Sequence, residues 1–248
     1  MNRSDHQRLL DSHQPEAIAQ RLAQSPRDSW IPDAVLGGID GCVTTFAIVA
    51  GTLGAGLPHY TALILGGANL VADGVSMAVS NFEAVRARHA HLERMRREES
   101  HHIDTVPEGE LEELRQIFRA KGFEGDLLER VVETISANRE TWIKTMLSEE
   151  LGLRTTPQQP LRAAFTTLTA FVLVGAVPLL PLLASEPARA HYLGSAALAG
   201  LMFILVGALK QPDGVWNALR SGLKTLATGS LAASLAFIVG YGLRQLVS

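Results

Sequence analysis

The sequence contains a single cysteine, Cys42, which lies in an apolar run. One cysteine cannot build a disulfide framework or a cysteine-rich metal site, so both are excluded. Basic residues are also not in excess, because 22 lysines and arginines are outnumbered by 25 aspartates and glutamates and the net charge is −3. The basic residues alternate with acids, as on a solvated helical face, so we expect no nucleic-acid partner.

The first thirty residues lack the apolar segment of a cleavable signal peptide. Their polar, mixed-charge composition predicts a cytosolic N-terminal arm over residues 1–30. Within it, QPEAIAQRLAQ is either a short amphipathic helix or part of a loosely ordered leader. Insertion into a membrane would then depend on the first apolar segment.

Charge is nearly absent from two long parts of the chain, since it is concentrated before about residue 33 and between about 83 and 156. The uncharged parts contain apolar segments of roughly 20 residues, the length of a membrane-spanning helix. These segments cover approximately residues 33–55, 60–82, 161–184, 190–209 and 221–243. Pro178 and Pro181 should kink or end the third helix. The sequence therefore predicts an all-α integral membrane protein with five transmembrane helices.

Arginine and lysine are concentrated in the N-terminal arm, at the end of the second segment and between the fourth and fifth. Because such residues are enriched on the cytosolic side, the N-terminus and the large insert should be cytosolic and the C-terminus should lie on the opposite side. A bacterial inner membrane suits these features, and a eukaryotic organelle would require the same topology. The predicted domains are a polar arm (1–30), helices one and two (31–88), a cytosolic helical insert (89–156) and helices three to five (157–248).

Two aspartates, Asp40 and Asp73, lie inside the first two predicted spans, where a carboxylate costs at least ~2.5 kcal/mol. Helical spacing groups them with other polar side chains on shared helix faces. The predicted cation path consists of Asp40, Thr44, Asn69, Asp73, Ser76 and Met77. Oxygen ligands with a thioether suit divalent transition metals, and carboxylates in an apolar setting can exchange metal for protons. The alternative is that the aspartates cap helix breaks or pair with each other in neutral form.

The insert between the second and third spans is charged and should be helical throughout. The second span continues into water, VP marks a turn, and PEGELEELRQIFRAKG opens with proline and acids, as first turns prefer. Apolar residues recur at helical spacing there and in EGDLLERVVETISAN and RETWIKTMLSEELG, which predicts a small helical bundle.

Glutamates and a histidine in this insert have the spacing of metal ligands. The candidates are Glu99 and His102 on one helix, Glu110 and Glu113 on the next, and Glu149 and Glu150 at the end of the last. Glu/His pairs of this kind on neighbouring helices resemble the ligand sets of carboxylate-bridged metal bundles. The alternative is a solvated acidic face without a bound ion.

The segments DAVLGGIDGCVTTFAIVAG and GGANLVADGVSMAVSNF, the charged insert with its VP turn, ELGL and three further spans together resemble the vacuolar iron transporter family. The resemblance covers about residues 30–245, and its most specific marks are DG in the first span and SMA in the second. It implies a homodimer with five membrane helices that exports ferrous iron, and often manganese, from the cytosol in exchange for protons. It also implies a cytosolic metal-binding domain and no organic cofactor.

Under this resemblance, Asp40 matches the family's essential acid in the first span and Met77 matches its methionine in the second. In the insert, the residues that match metal-ligand glutamates and a nearby methionine are Glu99, Glu110, Glu113, Glu150 and Met146. Asn69 stands where plant members carry a glutamate, and an acid reappears one turn later at Asp73. His102 stands in place of another glutamate, which makes the site softer, so Co²⁺ and Zn²⁺ join Fe²⁺ and Mn²⁺ as candidate ions.

We therefore expect an integral membrane homodimer that exports a divalent transition metal by proton antiport and is not an enzyme. Two alternatives remain at this level. One is a membrane-tethered metal sensor that binds ions without moving them. The other is a di-iron oxidase, which would need Glu-x-x-His on two facing helices, whereas the sequence offers that motif on one segment only.

Overall fold

The computed structural model describes residues 3–23, 29–156, 158–184, 188–211 and 214–247. Within these ranges the chain forms ten α-helices and one 3₁₀ segment. The helices are α1 (Arg3–Ser12), α2 (Pro15–Ala23), α3 (Ile31–Gly54), α4 (His59–Thr105), α5 (Pro107–Ala120), α6 (Gly125–Ser136), α7 (Arg139–Glu149), α8 (Pro160–Ala176), α9 (Ala188–Leu209) and α10 (Val215–Val247). The all-helical secondary structure predicted from the sequence is thus confirmed for the described residues.

The helices belong to two compact units. The apolar unit comprises Ser29–Arg88 and Gln159–Ser248, and the polar unit comprises Met1–Asp28 and His89–Gln158. Helix α4 continues through the boundary between residues 88 and 89. Of the predicted N-terminal arm, the described part is largely the two short helices α1 and α2, so QPEAIAQRLAQ contributes to a helix.

Among the described residues, five helices are long and apolar enough to cross a membrane. They are Ile31–Gly54, His59–Thr105, Pro160–Leu183, Ala190–Leu209 and Val215–Val247. Each covers one of the five apolar segments of the sequence. The last helix begins six residues before the predicted segment. Residues 215–220 belong to this helix although Asn217 and Arg220 make them more polar than the apolar segment itself.

The third of these helices changes its geometry at the two prolines. The α-helical part α8 ends at Ala176, and the chain continues as a 3₁₀ segment, Val177–Leu183. Proline lacks an N–H donor, and its ring clashes with the carbonyl four residues earlier in an α-helix. Pro178 and Pro181 therefore end the α-helix as expected while the chain continues as a helix of tighter pitch.

Glycine allows α3 to pack directly on the backbone of α8. A Cβ atom at Gly37 would lie 2.2 Å from the carbonyl oxygen of Thr167, and one at Gly41 would lie 2.3 Å from that of Phe171. Small residues permit this close approach of membrane-type helices. Because Gly41 follows Asp40 directly, the same contact fixes the direction in which the Asp40 side chain projects from α3.

We expect Gly41→Ala to lower stability by about 1–3 kcal/mol, because the new methyl group would overlap backbone that cannot move aside. The measurement is thermal unfolding of the detergent-solubilised protein. Gly67→Ala is the matched control, because nothing lies within 4 Å of a Cβ atom at that position of α4. Equal unfolding temperatures for the two variants would contradict the packing described above.

The polar unit has its own hydrophobic core. Its buried side chains come from α4, α5, α6 and α7 and are Ile103, Leu114, Leu128, Val132, Trp142, Ile143, Met146 and Leu147. The start of α7 is fixed by Asn138, whose side chain accepts a hydrogen bond from the backbone N–H of Thr141 at 2.9 Å. The guanidinium of Arg139 donates to both carboxylate oxygens of Asp104 at 2.6 Å, which joins α7 to α4.

Candidate metal sites

The cluster in the polar unit is created by the turn between α4 and α5. Val106 precedes a proline, which disfavours helical backbone, and it has φ −135° and ψ 53°. Helix α4 therefore ends at Thr105, and α5 begins at Pro107. As a result Glu110, in the first turn of α5, lies beside His102 in the last turn of α4.

Glu99, His102 and Glu110 form the closest group of metal-binding side chains among the described residues. One ligand atom from each lies within 4.8 Å of the others, and His102 Nδ1 is 3.5 Å from Glu110 Oε1. Ligands around a shared ion at 2.0–2.2 Å are about 3–4 Å apart, so small side-chain rotations would close this group on a metal. The predicted Glu99/His102 pair and Glu110 thus converge in the structure.

Both glutamates of this group are buried without sufficient compensation. Glu99 is 4% and Glu110 is 3% exposed, and one carboxylate oxygen of each has no hydrogen-bond partner among the described residues. A buried charge normally requires a partner, and an unpaired one calls for an explanation. A cation bound between these carboxylates would provide that partner.

The electrostatics of the cluster extend to two more glutamates. Burial first, and then the charges of Glu150 and Glu110, raise the pKa of Glu99 to about 7. Burial and the charge of Glu113 raise the pKa of Glu110, and the same two causes raise the pKa of Glu150. Four carboxylates that repel one another in this way create a strongly negative electrostatic potential, which favours the binding of a divalent cation.

Two other predicted ligands of the insert have different surroundings. Met146 is fully buried in the hydrophobic core of the polar unit, one turn before Glu150. Glu149 forms an ion pair with Lys121. Neighbouring residues on a helix point in directions about 100° apart, so Glu149 and Glu150 do not share a face.

The structure therefore separates Glu149 from Glu150 in a testable way. We expect Glu150→Gln to weaken metal binding by the full-length protein about tenfold or more, because it removes a negative charge beside Glu99. Glu149→Gln should change the affinity less than about threefold, since its carboxylate is already paired with Lys121. Calorimetric titration with Mn²⁺ would measure both, and the reverse order would assign the ligand role to Glu149.

In the apolar unit, Asp40 and Met77 line one cleft. The cleft has a volume of about 870 Å³, and its other lining residues are Ile31, Pro32, Val35, Leu36, Ile39, Val43 and Lys210. Asp73 lies one turn before Met77 on α4 and is close enough to Asp40 for the two carboxylates to interact electrostatically. The two intramembrane acids predicted from the sequence are therefore neighbours.

The remaining residues of the predicted cation path are not among the residues that line this cleft. The Thr44 hydroxyl donates to the backbone carbonyl of Asp40 at 2.9 Å, so it is used within its own helix. Asn69 is half-buried, and its side-chain nitrogen has no partner among the described residues. Ser76 is exposed on α4. Asn69 and Asp73, one turn apart, thus remain available to an ion beside Asp40.

One buried polar network was missed by the sequence reasoning. Asn81 donates through its side-chain nitrogen to Asp33 Oδ1 and to the Thr167 hydroxyl, both at 2.8 Å. All three side chains are buried, and they join α3, α4 and α8. Asp33 lies at the start of the first apolar segment, where it resembles an ordinary first-turn acid, and only its burial distinguishes it.

Apolar helices of membrane-spanning length with paired acids, together with a glutamate–histidine cluster in a polar helical unit, define a class of helical protein with two candidate cation sites. The VIT family profile matches residues 31–241, so this chain belongs to the VIT family. The family resemblance seen in the sequence is confirmed.

Several relatives are similar over most of their length. The chain is 30% identical to "Vacuolar iron transporter 1" of Arabidopsis thaliana over 234 residues. The aligned residues make up 94% of this chain and 91% of that protein. It is 30% identical over 208 residues to "Vacuolar iron transporter 1" of Tulipa gesneriana, 84% of each chain. It is 28% identical over 228 residues to "Vacuolar iron transporter" of Toxoplasma gondii, 88% of this chain and 75% of that protein.

Proposed function

We propose that this protein is an integral membrane transporter that moves a divalent transition metal, ferrous iron and also manganese, out of the cytosol in exchange for protons. The observation that carries the proposal is the cleft in which Asp40 and Met77 meet between helices of membrane-spanning length. Ionisable residues at membrane depth are costly and usually mark an ion path. The names of the relatives, vacuolar iron transporters, support iron as the transported metal.

The ligand types support a transition metal over calcium or magnesium. Carboxylate oxygens alone would suit all of these ions, but the thioether of Met77 and the imidazole of His102 favour softer ions. Cobalt and zinc are therefore expected to compete with iron at both sites. The carboxylates of Asp40 and Asp73 can bind protons once the metal has left, which provides the proposed exchange.

We further propose that the protein works as a homodimer. The cleft beside Asp40 is open at the surface of a single chain, and a carboxylate facing lipid would be unfavourable. Leu36 lines the same cleft and is an exposed apolar side chain. A second copy covering this side would enclose the acids, and Leu36 would supply an apolar contact.

In the proposed orientation the polar unit and the N-terminus are cytosolic and the C-terminus lies on the other side. The polar unit then collects the metal from the cytosol. Its carboxylates and His102 replace the water of the ion before the ion reaches the membrane acids. A bacterial inner membrane is our proposed location, and the vacuolar relatives show that the family also occurs in eukaryotes.

The deciding experiment is metal uptake by proteoliposomes that contain the purified full-length protein. Ferrous iron and manganese are offered with and without an imposed pH gradient. Accumulation that depends on the gradient would support proton-coupled export. Metal binding without flux would indicate a sensor, and oxygen consumption upon addition of ferrous iron would indicate a di-iron oxidase.

The same assay gives the role of the polar unit. Neutralising Glu99, Glu110 and Glu113 and replacing His102 should raise the half-saturating metal concentration more than it lowers the maximum rate, because capture is weakened while the membrane path remains intact. An unchanged concentration dependence would show that the cluster does not collect the transported ion.

A further inference from the structure

A second group of metal-binding side chains occurs in the apolar unit, far from Asp40. His191, near the start of α9, is 2% exposed, and neither of its ring nitrogens has a hydrogen-bond partner among the described residues. Its ring centroid is 4.6 Å from that of His59, the first residue of α4. Two imidazoles from different helices thus meet in a largely buried position.

The geometry of the two rings suits a shared ligand. Their planes are tilted by 58°, so they are not stacked face to face. Rotation of the two side chains would let one nitrogen of each ring bind the same ion. Ser195 lies one turn after His191 on the same face of α9. Its hydroxyl is fully buried and also has no partner among the described residues. The site therefore offers nitrogen and oxygen atoms that the described protein does not use.

The surrounding structure holds the pair in place. The Tyr192 hydroxyl donates to the backbone carbonyl of Leu57 at 3.4 Å, which connects α9 to the loop that precedes His59. Buried polar atoms are nearly always paired in folded proteins, so three unused ones within one turn of α9 call for a ligand. Imidazole is a good ligand for iron, cobalt and zinc, whereas manganese and magnesium prefer oxygen.

We propose that His59 and His191, with Ser195 beside them, form a second binding site for a divalent transition metal. The site is about 21 Å along α4 from Asp73, at 1.5 Å per residue. It lies at the N-terminal end of α4, whereas Arg88 lies on the other side of Asp73 along the same helix. Its role, which depends on the transport function proposed above, is to receive the ion after the membrane acids and release it on the non-cytosolic side. Binding of the metal by the pair does not depend on that role.

The test is a titration of the purified full-length protein with Co²⁺, followed by visible absorption. The protein carries Glu99→Gln and Glu110→Gln to disable the polar-unit cluster. Co²⁺ bound by imidazole nitrogens at low coordination number absorbs much more strongly than Co²⁺ surrounded by six oxygens. We expect a saturable, strongly absorbing Co²⁺ that ferrous iron displaces.

In this background, His191→Gln and His59→Gln should each weaken the absorbing site by about tenfold or more. His101→Gln is the matched control, since His101 is an exposed histidine of the polar unit, and it should leave the absorbing site unchanged. His59 is only half-buried, so His59→Gln tests the site even if His191→Gln fails to fold. Absorption that is absent, or that persists when both histidines are replaced, would refute the site.

Flux measurements separate this inference from the transport function. His-dependent Co²⁺ binding without any flux in the wild-type protein would support the site and refute transport. Wild-type flux without His-dependent binding would refute the site and leave transport intact. If both hold, His59→Gln should lower the maximum rate of uptake without changing the half-saturating concentration on the cytosolic side.

Discussion

Asp40→Asn should reduce metal flux in proteoliposomes by about 100-fold or more while the protein remains folded. Asparagine has nearly the shape of aspartate, but it cannot balance the charge of a divalent ion in the cleft and cannot carry a proton. Removing one partner from a buried charge interaction leaves the other charge without compensation, which is the costly case. The bound metal would face only Asp73, and the exchange of metal for protons would lose one of its two acids.

The measurement is gradient-driven uptake of ferrous iron by wild type and variant at equal protein density. Asp126→Asn, an exposed position in the first turn of α6, is the matched control and should transport normally. Size-exclusion chromatography of the variant should show the same assembly as wild type. Normal flux in Asp40→Asn would remove Asp40 from the path and with it the proposed mechanism.

Glu99→Gln should weaken metal binding by the full-length protein about 10- to 100-fold and at the same time stabilise its metal-free form above pH 7. Glutamine keeps the shape and hydrogen-bonding capacity of the buried side chain without its charge. Burial of the charge, and then its repulsion by Glu150 and Glu110, raise the pKa of Glu99 to about 7, and both unfavourable effects would disappear in the variant. A residue retained for binding at the expense of stability is typical of functional sites.

The pH dependence follows from the direction of this pKa shift. In the unfolded chain Glu99 has its ordinary pKa of 4.5, and in the folded protein its pKa is about 7. The folded state therefore binds the proton more tightly, and this contribution to stability is complete below pH 4.5 and is lost as the pH rises to about 7. The loss is on the order of 3 kcal/mol, and Glu99→Gln should remove it. Metal binding has the opposite dependence and should strengthen up to about pH 7.

Thermal unfolding of metal-free protein between pH 5 and pH 8 would measure the stability, and Mn²⁺ titration would measure binding. Glu133→Gln is the control, because Glu133 is exposed on α6. It should alter neither property appreciably. If Glu99→Gln destabilised the metal-free protein at pH 8, the carboxylate would be making favourable contacts and the account of a repulsive cluster would be wrong.

The sequence alone determined the helices and the class of the protein. Apolar segments of spanning length are a local property, so each of the five was visible without knowledge of packing. The VP turn after α4 and the end of α8 before Pro178 were also predictable, because proline acts on its own backbone and on adjacent residues. The acids of the two spans were conspicuous because their cost depends on the surrounding apolar sequence.

Only the tertiary structure decided which of these side chains meet. Glu149 and Glu150 are adjacent in sequence, yet one is paired with Lys121 and the other interacts with the cluster around Glu99. The bond from Asn81 to Asp33 spans 48 positions of the chain, and nothing local to either residue indicates it.

The contact between His59 and His191 likewise depends on how α4 and α9 pack. Spacing within one helix can be read from a sequence, because backbone hydrogen bonds fix the turn. The register between distant helices is fixed by the fit of many side chains at once, including the glycines of α3 against α8. That is why the sequence revealed the candidate ligands and the structure was needed to group them into sites.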